Sequence, residues 1–222
     1  MTAAPELPRP AVDIRRLAGR SVDLARVERE RHGPPLWAAI GRHPELWAGT
    51  PTGPFADEAD FAAWLKERVE RPDQVLFAIV DRSGGHDEVA GLLFVISLQP
   101  AMGTAELGLV YGRGLQKTTG GTEAVYLVLS HLFAGLGYRR VEWRCNVAND
   151  ASMRAARRFG FALEGVLRQH RWLKGANCDT AVHAILDRDW PAIGRRMEAW
   201  LDPRNFTADG RQIAPLSAAA DA

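Results

Sequence analysis

The chain predicts an α/β fold of the α+β kind. It has one mixed, mostly antiparallel, twisted sheet flanked by helices, with a single parallel pair of strands. Three observations lead there. Three β-patterned runs, Val75 to Asp81, Val89 to Leu98 and Thr104 to Tyr111, follow one another across short turns, as an antiparallel meander does. The strongest helical pattern then stands between Thr104–Tyr111 and Arg140–Asn146, and a crossover through a helix brings such strands parallel. Apolar residues are 46% and charged residues 25% of 222, the mix of a soluble protein with one core.

The remaining elements follow in order. Residues 1–10 (MTAAPELPRP) read as a disordered tail, and residues 203–222 as a C-terminal extension and tail around a single domain at 11–202. Val22 to Val27 is a short strand, and Arg31 to Ile40 a helix around Pro34-Pro35. Asp57 to Val69 is a clearer helix, with Phe61, Trp64, Leu65 and Val69 on one face. Val125, Val128, Leu129, Leu132, Phe133 and Leu136 keep the helical period through a helix at 121–136, and Gly137 suits its C-cap. Asn149-Asp150 caps a short helix ending at Gly160. Phe161 to Trp172 and Thr180 to Leu186 are strands around the turn Lys174 to Asn177, and Trp190 to Trp200 is a final helix.

Composition removes several function classes. The formal charge of +1, from 28 basic and 27 acidic residues, gives no global field for nucleic acid or an anionic membrane. No apolar run approaches the roughly 18 residues of a membrane helix, and the N-terminus lacks an apolar secretion core, so a cytoplasmic protein is expected. Cys145 and Cys178 form no C-x-x-C pair and read as free thiols, and the six histidines show no ligand spacing, so no metal is expected. Arg154, Arg157 and Arg158 read as a solvated helix face or as a phosphate-facing rim.

Chemistry concentrates in the loop Gly112 to Ala124, a glycine-rich turn from a strand into the best helix. Glycines let backbone N–H groups approach a ligand, and a helix N-terminus favours an anion. Two nucleotide motifs fail there. A P-loop ending at Lys117-Thr118 would need glycines where Tyr111 and Gln116 stand, and a dinucleotide fingerprint from Gly112 and Gly114 meets Lys117 at its last glycine.

A third motif fits. Gln116-Lys-Thr-Thr-Gly-Gly121 resembles the Q/R-x-x-G-x-G/A acyl-CoA pyrophosphate loop of the GNAT N-acetyltransferases, with Thr119 at the middle glycine. Asn149-Asp-Ala-Ser152, then Gly160-Phe161 and Glu164-Gly165, resemble the N-x-x-S, G-F and E-G signature of the ribosomal-protein (RimJ/RimL) branch. The resemblance covers about Val22 to Trp190, and the element order is the family's.

The resemblance implies acetyl-CoA as acyl-donor cosubstrate. Gln116, Lys117, Thr118, Thr119, Gly120, Gly121 and Thr122 would hold the pyrophosphate. The backbone of Leu109, Val110 and Tyr111 would lie along the pantetheine, in a gap between splayed parallel strands. Asn149 would bond the CoA arm and Ser152 would stand near the sulfur; taken alone, they are a helix cap and a first-turn polar residue. Direct transfer to an amine needs a base, and an acid for the leaving thiol. The tyrosine many members use is Ala156 here, which leaves Ser152 as acid. The branch's glutamate on the strand after E-G is Arg171 here. Glu106, on the strand feeding the loop, is the first candidate base, with His170 or a water chain as alternatives. Trp47 and Phe55, in a Pro- and Gly-rich stretch, are acceptor-pocket candidates together with His170, whereas Trp37 and Trp64 read as core.

The expected function is an acyl-CoA-dependent N-acyltransferase acting on a small-molecule amine or peptide N-terminus. The acyl chain, acetyl or succinyl, stays open, and a homodimer is a family-level expectation. The alternative is a non-catalytic CoA-binding regulatory module. A nucleotide-binding protein using Lys117-Thr118 ranks last.

Overall fold

The computed structural model describes residues 6–216. The sheet has eight strands: β1 (Arg16–Ala18), β2 (Val22–Arg26), β3 (Val75–Asp81), β4 (Glu88–Gln99), β5 (Thr104–Tyr111), β6 (Arg140–Asn146), β7 (Ala162–Leu173) and β8 (Ala176–Leu186). Their spatial order is β1-β2-β3-β4-β5-β6-β8-β7. Every neighbouring pair is antiparallel except β5 and β6. The helices are α1 (Arg29–Leu36), α2 (Glu58–Glu70), α3 (Thr119–Ser130), α4 (Asp150–Phe159) and α5 (Trp190–Leu201). Wider turns at Trp37–Gly41 and His131–Gly135 extend α1 and α3.

The period-2 alternation of the strands makes two cores. Val75, Phe77 and Ile79 of β3 and Leu93 and Val95 of β4 point to the face covered by α3 and α5. Leu76 and Ala78 of β3 and Leu92 and Phe94 of β4 point to the other face, with Leu36 of α1 and Phe61 and Leu65 of α2. That second core takes nothing from β6, β7 or β8. On those strands the corresponding face carries Arg140, Glu142 and Arg144 in alternate positions, joined to Glu164 through charged hydrogen bonds.

Several expected elements shift. The helix expected at 121–136 begins at Thr119, because Thr118 is the N-cap and its hydroxyl accepts from Gly121 N at 3.1 Å. Gly137 ends it in the left-handed region, at φ 69°. The turn expected over Lys174 to Asn177 tightens to Lys174 and Gly175, both at positive φ, so β8 starts at Ala176. β1 was not anticipated, since three residues carry no period. Residues 1–5 and 217–222 lie outside the described residues. Within the expected N-terminal tail, the amide of Arg9 donates to Pro100 O at 2.8 Å, and the aliphatic parts of Leu7 and Arg9 pack beside Gly103. In the C-terminal extension, Phe206 and Gln212 form a β-bridge and Leu216 is buried in the first core.

Glu123 ties α3 to the sheet. It sits in an otherwise apolar turn, 7% exposed. Its carboxylate accepts from the amides of Arg20 (2.6 Å), Ser21 (2.8 Å) and Val22 (3.2 Å) and from the Ser21 hydroxyl. Those donors belong to the β1–β2 turn, so one side chain both satisfies the turn and sets where α3 begins. Glu123→Ala leaves the buried Val22 amide and the part-buried Arg20 and Ser21 donors without an acceptor and is expected to cost about 3 kcal/mol. Urea unfolding measures it; a loss below ~1 kcal/mol would mean that water replaces the carboxylate.

Candidate active site

The site is built on a fork. β5 and β6 pair over only three rungs, Thr104↔Arg140, Ala105↔Val141 and Glu106↔Glu142. Beyond them β5 stays with β4 as far as Tyr111, and β6 stays with β8 as far as Asn146. Gly112 N donates to Ala90 O, which fixes the phase of the β4–β5 ladder. In an antiparallel ladder successive residues direct their N–H and C=O to opposite sides. Leu107, Leu109 and Tyr111 therefore present their backbone polar groups to the gap that β6 has left. Val110 directs its own toward β4, and its side chain is buried in the second core.

The loop after β5 supplies further donors. The amides of Gln116, Lys117 and Thr118 have no acceptor among the described residues, and those of Thr119 and Gly120 are first-turn orphans of α3. Lys117 holds a left-handed backbone at φ 59°, a local strain kept in a loop that carries the donors. Gln116 is exposed, and its Nε2 donates to Tyr111 O at 3.2 Å. Donors of this number at a helix start, beside a lysine, suit a pyrophosphate. The glycines themselves serve packing: a Cβ on Gly121 would stand 2.9 Å from Leu115 O, and one on Gly120 2.8 Å from Val22 Cγ1. Tyr111 anchors the helix start, its buried phenol donating to Gly121 O at 2.5 Å, and burial raises its pKa. Thr122 faces α4, where its hydroxyl accepts from Arg158 at 2.9 Å. Arg158 thereby faces inward, its guanidinium 4.8 Å from the Trp200 ring, rather than lying on a solvated helix face.

Across the fork stands the start of α4. Asn149 is its N-cap, accepting from Ser152 N at 3.1 Å through Oδ1, while its Nδ2 lies against Gly49. Ser152 Oγ accepts from the indole N–H of Trp143 at 2.9 Å.

Glu106 occupies the last paired rung, with a side chain 15% exposed. Burial raises its pKa above that of an ordinary glutamate; the neighbouring Glu142 adds to this, while Arg144 and Arg171 oppose it. Arg144 Nε is 3.8 Å from Glu106, and its guanidinium is held by Glu142 at 2.6 Å. Glu142, Trp143, Arg144 and Lys174 were not singled out from the sequence. The alternation of β6 could have put Glu142 and Arg144 on the face of Glu106, but only the register brings them together.

The proposed acceptor residues divide. Trp47 is 1% exposed within an aromatic cluster with Phe55, Phe61 and Trp64, its indole donating to Ile40 O at 2.9 Å. Phe55 is half-buried and packs edge-on against Trp47 at 4.9 Å. The stretch carrying both is held from the β7–β8 hairpin, where the Lys174 ammonium donates to Trp47 O at 2.5 Å and to Thr52 O at 3.5 Å. His170 lies on exposed β7 with Nδ1 3.0 Å from the Thr180 hydroxyl.

Comparison with known proteins agrees with this geometry. A crystal structure of a GCN5-related N-acetyltransferase from Brucella melitensis superimposes with a TM-score of 0.89 at 37% identity, over 94% of this chain and 95% of that one. The ribosomal-protein-serine acetyltransferase of Escherichia coli (strain K12) is 31% identical over 102 residues, 46% of this chain and 57% of that protein. The chain thus spans little more than half the length of the first curated relatives it matches. The RimL ribosomal L7/L12 alpha-N-protein acetyltransferase, solved with coenzyme A, shares the fold with a TM-score of 0.68 at 20% identity. Residues 23–162, well over half of the chain, match the model of the acetyltransferase (GNAT) domain, and the chain belongs to that family.

Proposed function

We propose that this protein transfers an acetyl group from acetyl-CoA to a primary amine, with a peptide or protein N-terminus as the acceptor class. The observation that carries the reading is the fork. It leaves backbone donors facing the seam, with a buried carboxylate on the last paired rung at one side and a capped serine at the other. The ribosomal-protein relative supports a polypeptide acceptor.

Acetyl-CoA, when bound, supplies the thioester. The amides of Gln116 to Gly120 would hold its pyrophosphate, with Lys117 adding charge. The Leu109 N–H donates to the acyl carbonyl oxygen as that oxygen gains charge. Glu106 takes a proton from the incoming ammonium, directly or through one water, so that nitrogen has a lone pair for attack. As the N–C bond forms and the C–S bond breaks, the nitrogen loses its second proton to solvent, the Ser152 hydroxyl gives its proton to the departing sulfur and is reprotonated from solvent, and Glu106 returns its own proton to solvent. Net, the ammonium and thioester become amide and thiol, with one proton released to solvent.

Thiol release from acetyl-CoA with a panel of amines and short peptides tests the activity. Binding of acetyl-CoA with no release for any acceptor would support a non-catalytic CoA-binding module instead. Glu106→Gln is expected to lower kcat/KM by roughly a hundredfold or more. Because burial raises the Glu106 pKa, the active carboxylate is lost as pH falls through a value above that of free glutamate. The wild-type profile should show that acid limb and Glu106→Gln should lack it; a limb retained by the variant would move the base elsewhere.

Lys174→Met removes a charged tie worth ~1–2 kcal/mol. Amides in residues 48–55 should then exchange about tenfold faster, with a higher KM for the acceptor and an unchanged KM for acetyl-CoA. Unchanged exchange would show that aromatic packing alone holds the stretch.

A further inference from the structure

We infer that Trp143 is a positioning residue for the leaving-group proton, acting through Ser152. The inference rests on the reading of Ser152 as the acid. An indole can only donate, so in the 2.9 Å bond between Trp143 Nε1 and Ser152 Oγ the serine is the acceptor. One lone pair of the hydroxyl is thereby taken, and its own hydrogen must point elsewhere. The Cys145 thiol, two residues along β6 from Trp143, pairs instead with Met153 Sδ at 3.5 Å, so it does not compete for the Ser152 hydroxyl. The resting hydroxyl is thus an acceptor on the indole side, with its hydrogen left for another partner, the polarity that protonation of a departing sulfur requires.

The ring that imposes this polarity is rigid. Trp143 is 4% exposed and packs against Phe159 at 5.9 Å and Phe161 at 5.5 Å. The serine is fixed independently through its amide, which donates to Asn149 Oδ1. Backbone and oxygen are therefore held from two sides, and the O–H rotor is kept away from the indole. An acid that need not search for its acceptor loses less to misorientation at the moment of transfer. Trp143 also lies on β6 just past the last rung shared with β5, so the strand that opens the seam carries the group that aims the proton.

Trp143→Phe keeps a ring in the pocket and removes the N–H. It should lower kcat about tenfold with KM for acetyl-CoA within about twofold, and the double variant with Ser152→Ala should be no slower than Ser152→Ala alone. Should phenylalanine leave the fold too loose, benzothienylalanine at 143 keeps the bicycle and replaces the N–H by sulfur. A wild-type kcat in either variant, with Ser152→Ala still slow, overturns the positioning role while the acid stands. Losses that multiply in the double variant also overturn it, because the ring would then act through packing. If Ser152→Ala keeps the wild-type kcat, the acid assignment fails and this inference falls with it.

Discussion

Three rungs of parallel pairing decide what the rest of the molecule can do. Between Thr104–Glu106 and Arg140–Glu142 the sheet is continuous; beyond, it is two sheets sharing a root. Neither strand is left single, because β5 keeps its ladder with β4 and β6 keeps seven paired positions with β8. The cost of separation is therefore confined to one edge of each strand. Unpaired backbone groups in a half-closed place need water or a ligand, and the family's acyl donor has the amide-rich arm that such an edge can pair with.

The helices keep the seam from closing. α3 is fixed from the β1–β2 turn by Glu123 and from β5 by Tyr111, so its first turn has little freedom of position. α4 is joined to α3 by the bond between Arg158 and Thr122 and to β6 by the bond between Trp143 and Ser152. Most of these contacts link residues far apart in sequence and close to helix ends. They hold the two halves of the site at a distance set by side-chain lengths rather than by the sheet.

Much of this frame was legible in the residues. The limits of β3 follow from a continuous apolar run and those of β5 and β6 from alternation, and Gly137 and Gly160 mark helix ends because each stands at positive φ. The phosphate-type loop and the Asn149 cap were legible for a similar reason, since their chemistry is local. What could not be read depends on register. Glu123 looks like a polar interruption of an apolar helix until the β1–β2 turn is beside it. Trp143 looks like any core aromatic until α4 places Ser152 against its N–H. Trp47, expected to line an acceptor pocket, is 1% exposed because Phe55, Phe61 and Trp64 close around it.

The short root has a mechanical side. Glu106 lies on β5 at the root itself, whereas Asn149 and Ser152 follow β6 beyond it. The proposed acid and base are thus carried by different strands of the fork, and their separation depends on how β6 leaves the root. Its stiffness comes from three rungs, a few interhelical bonds and the packing of Trp143, not from the eight-stranded sheet as a whole. A small rotation at the root changes the gap between the two groups by an amount that grows with distance along the strands. A scaffold can in this way be rigid enough to keep its core and still compliant where an acyl group has to enter and a thiol has to leave.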